Sequence, residues 1–248
     1  MTYGIAIKLE SALVLCADSR TNAGLDQVST YSKVSLLGIE GERQFALISS
    51  GNLGTATAVR RQIQRDIARN AEENLLTAPD MAGAAEYVGM VSRGQQEKHA
   101  AEGSTQESFN PEATFILAGQ IGAAEPEIYM IYPQGNYITA SEQKPFLLIG
   151  EVKYGKPILD RIITPQTSIE MAARCCLISM DSTMRSNVTV GPPVELVIYQ
   201  RDRLRMDCRL VFDEDDETLR SLHIEWQNAL ERAVDGLTPL NWETRCPQ

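Results

Sequence analysis

Apolar residues in the first 50 positions form short runs separated by turn signals, a pattern typical of paired β-strands. The runs GIAIKL (4–9) and ALVLCADS (12–19) lie two residues apart, which is the spacing of a hairpin. The stretch VSLLGIEGERQFALISS (34–50) repeats the pattern around a glycine-containing turn. We therefore expect two antiparallel hairpins before the first helix.

The period of the apolar residues changes after Gly54. Helical spacing predicts an amphipathic helix over 54–76, and Pro79 suits the first turn of a second helix that ends near 101. Strands return between 113 and 150, where short apolar runs are joined by turns rich in proline and glycine.

The last third of the chain predicts two more helices with a hairpin between them. A third long helix is expected over 167–186, a hairpin over 194–212 and a final amphipathic helix over 216–234. One face of this final helix carries its apolar residues, which are Leu219, Leu222, Trp226, Leu230 and Val234.

This order of elements indicates mostly antiparallel sheets covered by helices, because neighbouring strands are joined by hairpins rather than by helical crossovers. The fold class is therefore α+β, and a four-layer αββα sandwich is one solution. No linker or internal repeat interrupts the sequence, so we expect a single domain over 1–248. Its C-terminal helix and tail, about 213–248, could serve as an assembly contact or simply dock on the domain.

Charge and cysteine usage exclude several classes of protein. The 248 residues carry a formal net charge of -10 without a cluster of Lys and Arg, which argues against a nucleic-acid partner. No apolar run reaches 18 residues and no basic-then-apolar leader opens the chain, so we expect neither a membrane partner nor secretion. Five cysteines and two histidines show neither a disulfide framework nor metal-site spacing. We expect reduced thiols, a cytoplasmic location, no metal and no cofactor.

Thr2 is the first candidate for chemistry, because it directly follows the initiator methionine. A second-position threonine is ordinarily part of a frayed terminus. If Met1 is removed, however, Thr2 supplies both a hydroxyl nucleophile and an α-amine that can take its proton. The amine titrates near pH ~8, and a neighbouring ammonium would lower its pKa towards neutrality. This chemistry requires a lysine close to Thr2, held by a carboxylate.

Asp18 and Lys33 meet that requirement. Asp18 closes the second strand of the first hairpin, and Lys33 opens the next strand, in YSKVSLL. Taken singly, Asp18 reads as a turn residue and Lys33 as a solvated strand edge. If the strands that carry them pair, both residues lie beside Thr2.

The combined pattern resembles a known enzyme family. The segments TYGIAIKL, ADSRTNAG, SKV and SGNLG resemble the opening of proteasome β-subunits and of the bacterial ring protease HslV, which are threonine-type N-terminal-nucleophile hydrolases. The nearest resemblance is to the ancestral-type bacterial β-subunit homologues called Anbu, which carry DSRTNAG. The resemblance is strong over the first 60 residues and weaker beyond them.

The resemblance implies roles for individual residues. Thr2, Asp18 and Lys33 fall at the family's catalytic positions, although Lys33 lies one residue short of the usual spacing. Arg20 matches the family's supporting arginine. The resemblance further assigns an oxyanion-binding amide to Gly51 and substrate binding to Asn22 with its neighbour Thr21.

Two parts of the family pattern are altered. The serine that follows a strand-ending Ile-Gly is replaced by Glu151, which could disturb the amine network or accept its hydrogen bond. An Asp-x-x-Ser element is matched loosely: Asp181 fits by position, and either Ser182 or Ser186 fills the serine role. The alternative for Asp181 is an ordinary acid on a helix surface.

Three functions are compatible with the sequence. The first is a threonine peptidase that cleaves peptide or protein substrates inside a homo-oligomeric ring or spiral. The second is an N-terminal-nucleophile amidase for a small amide, and the third is a non-catalytic structural subunit. The segment GNLGTAT (51–57) lacks the features of a phosphate-binding loop, so any ATP-driven unfolding would need a separate partner.

Overall fold

The computed structural model describes residues 2–22, 28–102 and 109–240. Its strands fall into two five-stranded sheets and one short pair. The strands are Tyr3–Lys8 (β1), Ala12–Asp18 (β2), Arg20–Asn22 (β3), Val28–Thr30 (β4), Val34–Ile39 (β5), Arg43–Gly51 (β6), Ala113–Ile121 (β7), Glu127–Ile131 (β8), Tyr137–Thr139 (β9), Phe146–Gly150 (β10), Val194–Gln200 (β11) and Cys208–Phe212 (β12).

The two large sheets are antiparallel throughout. The first has the order β10-β1-β2-β11-β12, and the second has the order β5-β6-β7-β8-β9. The helices are Leu53–Ala68 (α1), Met81–Glu102 (α2), Lys156–Ile162 (α3), Ile169–Ser186 (α4) and Glu217–Asp235 (α5).

Side chains alternate across the first sheet and so pack into two apolar layers. Tyr3, Ile5 and Ile7 of β1 join a core with α3 and α4. Ala6, by contrast, packs between the two sheets against Ile48 of β6. Strands β1 and β2 are therefore buried on both faces, which explains why they are apolar without alternation in the sequence.

A third apolar layer lies between the second sheet and the helices α1 and α2. The order through the molecule is thus helices, sheet, sheet, helices. This arrangement confirms the expected mixture of helices and sheets. Within the described residues, none of the helices combines the length and apolar character that a bilayer crossing requires.

Two local expectations require correction. The first helix ends at Ala68 rather than continuing to 76, because the following residues form turns that bury Leu75 in the apolar layer of α1 and α2. The short helix α3 is absent from the sequence-based prediction. It has only seven residues, with a proline in its first turn, so it shows too little periodicity to be recognised. The predicted tail beyond 240 lies outside the described residues.

One close contact fixes α2 against the turn between β8 and β9. A Cβ added to Gly89 would lie 2.1 Å from the carbonyl oxygen of Gly135. Five residues later on the same helix, Gly94 is exposed and would meet nothing within 4 Å. Packing therefore requires a glycine at position 89 but not at position 94.

This pair gives a matched test of the fold. Gly89→Ala should lower the free energy of unfolding by about 1–3 kcal/mol, because the added methyl group overpacks a buried contact. Gly94→Ala should raise it by up to ~1 kcal/mol, because alanine favours helix more than glycine does. Urea denaturation of the three proteins measures both effects. Equal effects of the two substitutions would contradict the described packing of α2.

Candidate active site

Thr2 directly precedes β1. It is only 7% exposed, and its carbonyl oxygen accepts a hydrogen bond of 2.7 Å from the backbone N–H of Glu151. Gly150 makes this contact feasible: its φ is +81°, and a Cβ there would lie 1.9 Å from the Thr2 carbonyl oxygen. The strand β10 thus fixes the backbone of Thr2 through a position that only glycine fits.

Asp18 is the buried anchor of the site. It ends β2, is fully buried, and accepts a 3.0 Å hydrogen bond from the backbone N–H of Tyr3 at Oδ1. A weaker contact of 3.4 Å comes from the N–H of Gly191 to Oδ2. The same Oδ1 lies 2.8 Å from Nζ of Lys33. The carboxylate therefore connects the chain start to Lys33.

Lys33 is held at two points. Its Nζ donates to Asp18 and, at 2.7 Å, to the backbone carbonyl of Arg20. The predicted proximity of Asp18 and Lys33 is thus present, but its expected origin is wrong. Lys33 precedes β5, which belongs to the second sheet and does not pair with β1 or β2. The two residues meet because the sheets stack, not because their strands pair.

Burial sets the direction of both pKa shifts in this pair. It lowers the pKa of Lys33, and the neighbouring Asp18 carboxylate acts in the opposite direction. It raises the pKa of Asp18, which the hydrogen bonds from Lys33, Tyr3 and Gly191 oppose. The contact between the two groups thus opposes the effect of burial on each of them.

A cleft of about 560 Å³ opens beside Thr2. Its walls come from β3, the end of β6 and the start of α1, and include Lys33, Ser49, Ser50 and Gly51. Gly51 has a φ of +100°, and a Cβ there would lie 2.4 Å from the carbonyl oxygen of Glu112. The nucleophile candidate, the lysine and the predicted oxyanion glycine thus share one cleft.

The predicted supporting and substrate-binding residues of β3 border the same cleft. Arg20 lines it and donates from Nη1 to the carbonyl oxygen of Val188 at 3.0 Å. Thr21 also lines it, and its buried hydroxyl has no hydrogen-bond partner among the described residues. The backbone of Asn22 belongs to β3, while its side chain lies outside what the structure describes.

Glu151 lies beside the Thr2 backbone, as the sequence places it. The residue is 7% exposed, and its Oε2 accepts a 3.1 Å hydrogen bond from Nδ2 of Asn187. Asn187 Oδ1 in turn accepts from the backbone N–H of Thr189 and from its hydroxyl, at 3.0 and 2.6 Å. Asn187 and Thr189 were not predicted as site residues. The only signal for them in the sequence was an Asn-x-Thr segment directly after a helix end.

Asp181, Ser182 and Ser186 are not brought to the Thr2 cleft. They line a separate cleft of about 250 Å³ between α4 and α5. There Asp181 Oδ1 contacts Nδ1 of His223 at 2.8 Å, so the residue serves to join two helices. On α4, Ser179 is instead the serine linked to the chain start, because its Oγ lies 2.8 Å from the Tyr3 hydroxyl.

The chemistry that the Thr2 cleft can perform is nucleophilic and electrostatic. A hydroxyl, a buried lysine and its carboxylate are present together, and Gly51 lines the same cleft. No hydrogen bond joins the Thr2 hydroxyl to another side chain in residues 2–22, 28–102 or 109–240, which leaves it available to a substrate. Across these same residues, no group of three or more His, Cys, Asp or Glu side chains could hold a metal ion.

Comparisons with known proteins give a consistent result. A solved structure of a mutant of Anbu from Hyphomicrobium sp. strain MC1 is 39% identical, with a TM-score of 0.90 over 97% of this chain and 100% of that one. Anbu from Yersinia bercovieri, described as an ancestral β-subunit, is 35% identical, with a TM-score of 0.90 over 96% and 99%.

A third solved structure is of the helical assembly of the Anbu complex from Pseudomonas aeruginosa. It is 38% identical, with a TM-score of 0.91 over 96% of this chain and 98% of that one. Neither the models of protein families nor the curated proteins gave a match. The structural similarities confirm the resemblance seen in the sequence.

The buried ion pair can be tested against an exposed one. Asp18→Asn keeps the shape of the side chain but leaves Lys33 without its carboxylate, so the free energy of unfolding should fall by about 3–5 kcal/mol. Asp160→Asn disrupts an exposed pair with Lys156 on α3 and should have almost no effect. Denaturant unfolding of both variants measures the difference. Asp18→Asn with wild-type stability would show that the pair does not hold this region.

Proposed function

The chain belongs to the Anbu family of ancestral β-subunit proteins, and on that premise we propose that it is a threonine-type peptidase with Thr2 as its nucleophile. In this proposal the layered fold is that of an N-terminal-nucleophile hydrolase. The observation that carries the proposal is the 2.8 Å contact between Lys33 Nζ and Asp18 in the wall of the Thr2 cleft. It supports the proposal because an N-terminal hydroxyl requires a nearby cation and a proton acceptor to act as a nucleophile.

Catalysis begins once Met1 has been removed. The α-amine of Thr2 takes the proton from Oγ, and Oγ forms a bond to the carbonyl carbon of the substrate. The carbonyl π electrons move to the oxygen, whose negative charge is stabilised by the backbone N–H of Gly51. Lys33 keeps the pKa of the α-amine low enough for it to act as a base near neutral pH, and Asp18 holds Lys33 in place.

The proton then moves from the α-amine to the leaving nitrogen, the peptide C–N bond breaks, and an ester remains on Thr2. A water molecule attacks this ester in the second half of the reaction, with the α-amine again accepting the proton. The acid is released as Oγ recovers its hydrogen. In one cycle the α-amine of Thr2 accepts a proton twice and donates a proton twice, which returns the enzyme to its starting state.

The same proposal includes assembly of several copies, as in the helical assembly of the Pseudomonas aeruginosa complex. The apolar stripe of α5 supports it. In the first half of α5, Leu219 is buried and Trp226 is half-buried. In the second half, Leu230 and Val234 are 43% and 65% exposed. We propose that a second copy covers this exposed part of α5.

We also propose that the protein acts in the cytoplasm, where thiols stay reduced. The four free cysteines among the described residues support this compartment.

A peptide epoxyketone tests the nucleophile directly, because this electrophile bonds to both the hydroxyl and the free α-amine of an N-terminal threonine. Intact-mass analysis of the mature protein should show one adduct per chain. Thr2→Ala should show none, because the hydroxyl is absent. A variant with one glycine left ahead of Thr2 should also show none, since its amine is displaced.

The two controls separate the outcomes. An adduct on wild type alone supports both the hydroxyl and the amine in their assigned roles. A mature wild type that remains unmodified by epoxyketones with different side chains would favour a non-catalytic structural subunit. An adduct on the glycine-extended variant would contradict the role of the amine.

Assembly is tested on α5. Val234→Glu should reduce the mass of the particle in multi-angle light scattering, because a charge would be buried in the contact between copies. Asn228→Glu is the matched control, since Asn228 is exposed on the opposite side of the same helix. Wild type that runs as a monomer, or equal masses for all three proteins, would contradict the assigned contact.

A further inference from the structure

Glu195 is a buried carboxylate that the proposed mechanism does not use. It lies on β11, opposite Ala17 of β2, and is 3% exposed. Two residues on the same face of β11, Val197 and Tyr199, belong to the apolar layer between the two sheets. A carboxylate in such a layer is costly unless hydrogen bonds compensate for its burial, so the partners of Glu195 are informative.

Both carboxylate oxygens of Glu195 have a partner. Oε1 accepts a 2.9 Å hydrogen bond from the hydroxyl of Ser19. Oε2 forms an ion pair with Nη2 of Arg209, which lies on the neighbouring edge strand β12. The same Nη2 donates at 3.2 Å to the hydroxyl of Ser32. The pair of Glu195 and Arg209 therefore connects two serines that belong to separate segments of the chain.

These two serines adjoin the proposed catalytic pair. Ser19 directly follows Asp18, and Ser32 directly precedes Lys33. The hydroxyl of Ser32 also donates at 3.0 Å to the carbonyl oxygen of Val34, so its hydrogen bonds reach across the backbone of Lys33. Because Lys33 Nζ contacts Asp18 at 2.8 Å, the connections form a closed circuit. The circuit passes through Asp18, Ser19, Glu195, Arg209, Ser32 and Lys33.

Stability alone does not explain the ion pair in this circuit. Backbone hydrogen bonds already join the same segments, from the N–H of Tyr31 to the carbonyl of Ser19 and from the N–H of Ser19 to the carbonyl of Pro193, both at 2.8 Å. Apolar residues of similar volume often replace a buried ion pair without loss of stability. An added pair that holds each serine by its hydroxyl is better suited to fix the orientation of the neighbouring residues.

We propose that Glu195 and Arg209 are positioning residues that hold the Lys33 ammonium at the distance from the Thr2 α-amine that catalysis requires. Neither residue lines the Thr2 cleft, so both act through the two serines rather than on the substrate. This inference rests on the proposed peptidase function, because it concerns the same site.

The α-amine of Thr2 reports on the position of Lys33 without any need for cleavage. NMR titration of the mature protein labelled with ¹⁵N-threonine gives the pKa of this amine. Arg209→Gln should raise that pKa towards the ~7.7 of an unperturbed terminus, because the ammonium group is no longer held close to the amine.

Kinetics give a second measure of the same effect. Arg209→Gln should lower kcat for a fluorogenic peptide about tenfold and change KM by less than about twofold, because a misplaced catalytic group acts on the chemical step. Arg209→Lys should recover part of kcat by keeping the charge opposite Glu195. Asp207→Asn is the matched control. It breaks an exposed ion pair with Arg205 directly before β12, and should leave kcat and the amine pKa at wild-type values.

A purely structural role gives a different result. Arg209→Gln leaves the Glu195 carboxylate buried without its cation, so it lowers the stability in either case. Ser32→Ala keeps the ion pair and removes the hydroxyl that links it to the backbone around Lys33. This variant should also raise the pKa of the Thr2 amine, and it carries the test if Arg209→Gln does not fold. An amine pKa that stays at the wild-type value in Ser32→Ala and in folded Arg209→Gln would overturn the inference.

The NMR measurement separates failure of this inference from failure of the peptidase proposal. If the mature protein cleaves no peptide and forms no epoxyketone adduct, a raised amine pKa in Ser32→Ala still supports the positioning role. If wild type cleaves peptides while the amine pKa is the same in wild type and in the variants, only the positioning role is overturned.

Discussion

The buried ion pair between Lys33 and Asp18 is the constraint on which the site depends. A lysine and a carboxylate removed from water are each costly, and the cost is tolerable only where both groups are hydrogen-bonded. Here Asp18 accepts from Lys33 and from the backbone of Tyr3, and Lys33 also donates to the carbonyl of Arg20. These contacts tie the first sheet, the second sheet and the chain start together at one point. The position of Thr2 relative to a cation is therefore a property of the fold rather than of a mobile side chain.

Backbone geometry provides the rest of the site. Gly150 allows β10 to close on the carbonyl of Thr2, and Gly51 ends β6 in a conformation that L-residues rarely adopt. Both glycines lie at strand ends that face the cleft, so the sheets stay regular until they reach the site. One cleft thus combines a proposed nucleophile and its electrostatic support.

Much of this arrangement can be predicted from the sequence. The parts that cannot be predicted depend on contacts that only the tertiary structure shows. Strand and helix periodicity predicted most elements. The family resemblance singled out Thr2, Lys33 and Gly51, which line one cleft, and Asp18, which is buried beside it against Lys33. Strand pairing was the wrong explanation for the Lys33 contact, because apolar alternation does not reveal which sheets stack. Asn187 was missed for a related reason. A polar residue directly after a helix is ordinarily solvated, and only the tertiary structure shows which group it contacts.

The central claim is that the Lys33 ammonium acts on the α-amine of Thr2, and the pKa of that amine tests it most directly. NMR titration of the mature protein labelled with ¹⁵N-threonine follows the amine of Thr2 through its pH dependence, because the other threonine nitrogens are amides that do not titrate. The account predicts a pKa below the ~7.7 of an unperturbed chain terminus, and an increase in the pKa when Lys33 is replaced by methionine. A pKa at or above ~8 that the Lys33→Met substitution leaves unchanged would contradict it.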